Sequence, residues 1–280
     1  MSKIKDKFAI ILGASSGLGL ASAHKLAASG YHIVLVHRTR KSELKALSQE
    51  IKGMESYGIT VLSYNRDALK AENISEIIET LQENSVSIIL HSIAKGSLQP
   101  LLGDKTLTKE DLDITIHAMG TNWWEWTQAL LKANKLSDDV RNIAFTSEGN
   151  TTVWRSYGAV SAAKAALEAL MRQMAVELAP LGVKTNCIQA GVTQTPSFAM
   201  IPGNEALARM AVDRNPFKRL TTPQDVANGV YLLCSPEATS CGVVNLLKGF
   251  LSTAIFANAL LPGIIAKEAF VSLLLEYNWF

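Results

Sequence analysis

Phe8-Ala9-Ile10-Ile11-Leu12-Gly13-Ala14-Ser15-Ser16-Gly17-Leu18-Gly19 is the stretch whose reading decides the fold. Its first five residues are short and uniformly apolar, the pattern of a strand buried on both faces, and an Ala-rich helical run over 18–29 follows at once. Glycines 13, 17 and 19 permit a tight turn and a close backbone approach. The start of the helix then offers free N–H groups and a positive dipole end to an anion. A glycine pattern alone is weak, but one between a strand and a helix is the context that a bound pyrophosphate requires.

Outward from this turn the chain alternates. Strand-like runs at 32–36, 59–63, 87–90, 142–145, 183–188 and 242–246 are separated by helical stretches at 42–54, 73–82, 109–131 and 157–178. Apolar strands without strict alternation predict parallel strands between two layers of helices: an α/β doubly wound parallel sheet, Rossmann-like, of about seven strands in one domain. Ligands are expected beyond the carboxyl ends of the strands. The chain has 280 residues, 48% of them hydrophobic and 19% charged, so it can bury a full core. A net charge of +2 gives no electrostatic reason to expect a nucleic-acid partner. Three irregularly spaced cysteines, Cys187, Cys234 and Cys241, fit reduced thiols in the cytoplasm; they suit neither a disulfide framework nor a metal site. The charged start M-S-K-I-K-D-K-F lacks the long apolar region and cleavage site of a signal peptide.

The glycine spacing, G-x-x-x-G-x-G over 13–19, resembles that of the short-chain dehydrogenase/reductase family. That resemblance implies a dinucleotide held by Gly13, Ser15, Ser16, Gly17, Leu18 and Gly19. Cofactor choice is read at the end of the second strand, where an acid would hold a ribose hydroxyl and a base would suit an extra phosphate. The residues there are His37-Arg38-Thr39-Arg40-Lys41, with no acid, so NADPH is expected rather than NADH, with Arg38 as the phosphate ligand. Asp67, just past the third strand, matches the family position that meets the adenine; a simple loop Asp is the alternative.

The family commonly carries Tyr-x-x-x-Lys on its long helix, but here Val160 stands four before Lys164, and Tyr157 stands seven before it. Seven residues is about two turns, which puts both side chains on one helix face. A lysine ammonium near a phenol is expected to lower its pKa and can also hold the nicotinamide ribose. Tyr-x6-Lys is the arrangement of the enoyl-acyl-carrier-protein reductases. His91-Ser92-Ile93-Ala94 after the fourth strand is similar to their H-S-I-A, His117 to a histidine of theirs, and Gln189-Ala190-Gly191 through Thr193 to Thr195 to their S-A-G-x-x-x-T segment. The likeness covers about residues 5 to 250. It implies Tyr157 and Lys164 as catalytic residues, Ser92, Ile93, Ala94, Lys164, Gly191 and Thr193 at the cofactor, and a trans-2-enoyl thioester as substrate in fatty-acid synthesis. Ser147 matches the family's catalytic serine position; it either shares the substrate oxygen or caps the strand end. His117 is either a core histidine or part of a proton path.

Residues 193–215 occupy the position of the family's substrate lid, in which Phe198, Met200 and Ile201 suit an acyl chain. The tryptophans 123, 124 and 126 read as core or subunit interface. No carrier-protein docking patch is obvious; Lys105, Lys109 and Arg209 are candidates by charge. A homo-oligomer, tetramer or dimer, follows by family analogy. Where the family closes with V-D-G-G, this chain has Leu247-Lys248-Gly249-Phe250, and an apolar extension at 253–280 follows the domain at 1–252. The uncharged run at 249–266 is at the lower limit of a membrane span and contains Pro262-Gly263, so a subunit-packing arm is favoured over a membrane-surface helix. The rival readings are a ketone or alcohol reductase of the same family and a protein that binds NADP without turnover.

Overall fold

A computed structural model describes residues 7–239 and 242–245. The strands are β1 (Phe8–Leu12), β2 (His32–His37), β3 (Val61–Asn65), β4 (Val86–His91), β5 (Leu136–Thr146), β6 (Val183–Gln189) and β7 (Gly242–Asn245). All pairings are parallel, in the order β3-β2-β1-β4-β5-β6-β7. The helices are α1 (Gly17–Ala28), α2 (Leu44–Glu55), α3 (Ala71–Glu79), α4 (Lys109–Ile116), α5 (Asn122–Lys132), α6 (Gly158–Glu177), α7 (Pro196–Ala199), α8 (Asn204–Arg214) and α9 (Pro223–Leu233).

Burial on both faces is why the strands read as continuous apolar runs. One face of the sheet packs Ile10, Leu12, Val34 and Ile89 against α3, α5 and α6 through Ile77, Trp123, Trp126, Leu167 and Met171. The other packs Ala9, Ile11, Leu35 and Leu90 against α1 and α9 through Ala23, Leu26, Val226 and Val230. Trp123 and Trp126 are therefore core; their indole N–H groups donate to Asn142 and to the Ala68 carbonyl. Strand order reverses between β1 and β4, which opens a crevice at their carboxyl ends, where Gly13 and Ser92 meet.

Several boundaries differ from the sequence expectation. The third strand lies two residues later, and β5 starts at Leu136 because its first residues pair with Val86 before a register shift. The run over 109–131 is not one helix: a π-helical turn at His117–Thr121 separates α4 from α5. This turn lies where the backbone passes close to α6, since a Cβ on Gly120 would sit 3.0 Å from the Ala163 carbonyl oxygen. The long helix begins at Gly158, so Tyr157 is its N-cap residue rather than a member of its first turn. Among the described residues no helix is long and apolar enough to cross a membrane. The extension at 253–280, Cys241 and the 247–250 segment lie outside the described residues.

Candidate active site

The glycine turn has the geometry of a cradle. Gly13 has φ +84°, and a Cβ there would lie 2.6 Å from the Ser92 carbonyl oxygen. A Cβ on Gly19 would lie 2.3 Å from the Gly13 oxygen, so the two glycines let β1, β4 and α1 close on one another. Gly17, at φ +56°, faces Thr195, whose methyl would be 3.3 Å from an added Cβ. Ser16 is the extended N-cap of α1 and makes no side-chain cap, leaving the first turn's N–H groups for a ligand. The residues present therefore fit a pyrophosphate, with Leu18, Ser15 and Ser92 around the same turn. In the sequence Thr195 is only the end of a segment; its nearness to Gly17 brings it to the site.

At the end of β2, Arg38 extends into solvent and pairs with Asp67 at 3.1 Å. Burial pushes the Asp67 carboxyl up, but the Leu69 amide, the Arg38 guanidinium and the Lys95 charge together hold it below its ordinary value. The loop is fixed beneath them: Asn65 accepts from the Thr39 amide and donates to its carbonyl, while Thr39 and Ser63 bond the two ring nitrogens of His37. Burial pushes His37 down. Arg38 and Asp67 thus stand side by side, a pairing that sequence spacing does not reveal.

At the far side of the crevice, Tyr157 follows Ser156, whose φ of +64° is left-handed, and its hydroxyl lies 3.3 Å from Ser147 Oγ. Its ring rests on the Gly149 backbone, where a Cβ would come within 2.4 Å of it. Ser147 caps the turn after β5 by accepting from the Gly149 amide, and its Oγ also meets the phenol. Val160, at the family's usual tyrosine position, is buried against Ala118, Met119 and Ala163.

Lys164 is buried, and its ammonium donates to the Phe145 carbonyl at 2.8 Å and the Met119 carbonyl at 3.4 Å. The π turn is what delivers the Met119 carbonyl, a partner that no sequence pattern announces. Burial pushes the lysine down from 10.5 to about 8. The expectation that this lysine lowers the tyrosine pKa is corrected: burial pushes the phenol up, the Ser147 bond pulls the other way, and the Glu148 charge adds to the rise. The ammonium is held toward the strand end and the π turn instead. His91, fully buried beside it, is pushed down to about 3 by burial and by the Lys164 charge; its ring nitrogens make no well-formed hydrogen bond, the Ala118 backbone lying nearby.

His117 is neither core nor free. Its Nε2 meets Glu125 at 2.9 Å on a partly exposed face, and Asn122 donates to the same carboxylate. Between β6 and α7, Thr193 bonds the Gly191 carbonyl and bridges to Thr221, anchoring the segment near the crevice. Phe198 is buried, whereas Met200 is 73% exposed and Ile201 partly so. Among the described residues no group of His, Cys, Asp and Glu could hold a metal ion.

A family model described as enoyl-(acyl carrier protein) reductase matches residues 13–246. The chain belongs to the short-chain dehydrogenase/reductase family. An uncharacterized oxidoreductase of Staphylococcus epidermidis is 32% identical over 201 residues, 70% of this chain and 82% of that protein. The human dehydrogenase/reductase SDR family member 2, mitochondrial, is 25% identical over 256 residues, 89% of this chain and 88% of its own length. Among solved structures, a variant of actinorhodin polyketide ketoreductase with NADPH superposes with a TM-score of 0.75 at 21% identity, covering 89% of this chain and 98% of that one. This short-chain dehydrogenase/reductase is therefore an oxidoreductase, with Tyr157, Lys164 and Ser147 gathered at the carboxyl end of the sheet.

Proposed function

We propose that this oxidoreductase uses NADPH to reduce the carbon–carbon double bond of a trans-2-enoyl thioester. The observation that carries the reading is the position of Tyr157. It stands before the first turn of α6, while an apolar Val160 fills the usual site of the proton donor and Lys164 keeps its place. A carbonyl reductase needs its donor beside the carbon that receives hydride. An enoyl thioester takes hydride at the β-carbon while charge develops on the thioester oxygen, three bonds away, so a donor set further back suits it.

Bound along the glycine turn, NADPH would supply that hydride. The chain's own groups do the rest: Tyr157, aligned by Ser147, stabilises or protonates the enolate oxygen, and the Lys164 ammonium holds the ribose. Arg38, with Arg40 and Lys41 nearby, supports the extra phosphate, and Asp67 receives the adenine end. The actinorhodin ketoreductase with NADPH supports the cofactor choice. Residues 193–215 act as the lid, with Met200 and Ile201 turning toward an acyl chain on closure.

A second reading, reduction of a ketone, is favoured by the Ser147–Tyr157 hydrogen bond and by the same ketoreductase. NADPH oxidation at 340 nm separates the two. Turnover of crotonyl-coenzyme A or an enoyl-acyl-carrier-protein, lost in Tyr157→Phe, supports the enoyl reading. Turnover of 3-ketoacyl thioesters or simple ketones alone replaces it with carbonyl reduction, and cofactor binding without any oxidation leaves a non-catalytic protein.

A further inference from the structure

One turn beyond Lys164, α6 carries an acid beside its buried stripe: Glu168 follows the fully buried Leu167. Its Oε1 accepts a 2.6 Å hydrogen bond from the hydroxyl of Thr146 at the end of β5. Thr146 is buried and sits between Phe145, whose carbonyl accepts from Lys164, and Ser147, whose Oγ meets Tyr157. One carboxylate is thereby tied to the residue whose two neighbours hold both candidate catalytic side chains.

We propose that Glu168 is a positioning residue that locks the carboxyl end of β5 and keeps the Lys164 ammonium charged. The inference rests on the roles given above to Lys164 and Tyr157. The ammonium bonds the Phe145 and Met119 carbonyls and interacts electrostatically with His91 from β4, Cys187 from β6 and Glu168 one turn along its own helix. Burial drives His91 down and the Cys187 thiol up, so both stay neutral at working pH. Arg172, a further turn along α6, acts on Cys187. With those two neutral, the Glu168 carboxyl is the group of this set that acts to raise the lysine, against the larger effect of burial. A hydroxyl donating to a carboxylate is a strong, short bond, which suits a lock as well as a charge.

The test is a titration that needs no turnover. Lysine Cε carbons are labelled with 13C in the full chain, and the Lys164 resonance is assigned by its loss in Lys164→Met. In Glu168→Gln, which keeps an oxygen acceptor for Thr146, the Lys164 midpoint is expected to fall by about 1 pH unit. The pH at which NADPH affinity declines, read by cofactor fluorescence, should fall with it. In Thr146→Val, which leaves the charge in place, the midpoint is expected to stay while kcat falls with KM little changed. A Glu168→Gln midpoint equal to wild type, or an equal displacement in Thr146→Val, overturns the proposal. Failure of the enoyl reading shows separately, as absent NADPH oxidation by thioesters, and leaves the titration result standing.

Discussion

Replacing Lys164 by Met is expected to make the protein more stable at neutral pH while removing its chemistry. The side chain is 5% exposed, and its pKa falls from 10.5 to about 8, chiefly through burial. At 1.36 kcal/mol per pKa unit, holding the ammonium inside costs about 3 kcal/mol at pH 7. Methionine fills a similar volume without a charge, but it abandons the Phe145 and Met119 carbonyls, the second of them a long contact. Losing those bonds takes back about 1–2 kcal/mol, so a net gain of about 1–2 kcal/mol remains. The sign with pH follows from the lowered value. Below pH 8 both folded and unfolded wild type carry the proton. Between about 8 and 10.5 only the unfolded chain keeps it, so wild-type stability rises with pH across that window, and the variant has no such rise. Urea unfolding of the two proteins at pH 7 and pH 9.5 should show the variant's advantage shrinking or reversing by about 2 kcal/mol. A variant less stable than wild type at pH 7, or a gap that is the same at both pH values, refutes the reasoning.

Other substitutions probe the remaining parts of the site. Tyr157→Phe should lower kcat by about 10²- to 10⁴-fold with NADPH affinity unchanged, measured by steady-state kinetics and fluorescence titration. Arg38→Ala should weaken NADPH binding by about 10- to 100-fold and leave NADH binding alone, since a charged hydrogen-bond partner of the extra phosphate is lost; equal losses for both cofactors would remove Arg38 from that role. Gly19→Ala pushes a methyl against the Gly13 carbonyl, 2.3 Å from the added carbon, and should abolish the thermal shift caused by NADPH. Gly149→Ala presses on the Tyr157 ring at 2.4 Å and should lower kcat at least as much as it raises KM, with cofactor affinity intact.

The sheet and its glycine turn were legible because they depend on local pattern. Buried parallel strands are continuous apolar runs, and Gly13 and Gly19 stand where no side chain fits. What the sequence did not display depends on tertiary approach. The run over 109–131 has a helical period throughout, and nothing local marks the π turn at His117–Thr121, which lies where Gly120 nears α6. Tyr157 reads as helical by continuity with 158–178, yet Ser156 turns left-handed and leaves it at the cap, against Gly149 and Ser147. The partners of Lys164 are backbone carbonyls, which have no sequence signature, and the Arg38–Asp67 pair joins two strand ends 29 residues apart. Glu168 did leave a signal, an acid one turn past a buried lysine, but its meaning required Thr146.

Local costs of several kinds converge on this end of the sheet. Ser156 adopts a left-handed backbone that a side chain resists, His91 is fully buried with its ring nitrogens poorly paired, and Lys164 is a buried cation. Each departs from a different rule, and each could be relieved by an ordinary substitution: glycine at 156, leucine at 91, methionine at 164. Two of them flank one another, since the Lys164 charge is felt by His91, and the third sets the position of Tyr157. The other buried cation among the described residues, Arg141, satisfies its guanidinium with Asp139 and the Leu233 and Ser235 carbonyls. Arg141 thus meets a carboxylate and two carbonyls, whereas Lys164 meets two carbonyls alone, at the end of the sheet where His91 and Ser156 also depart from ordinary preference. The meeting of these three at the carboxyl end of the sheet is independent of the glycine motif and of the family.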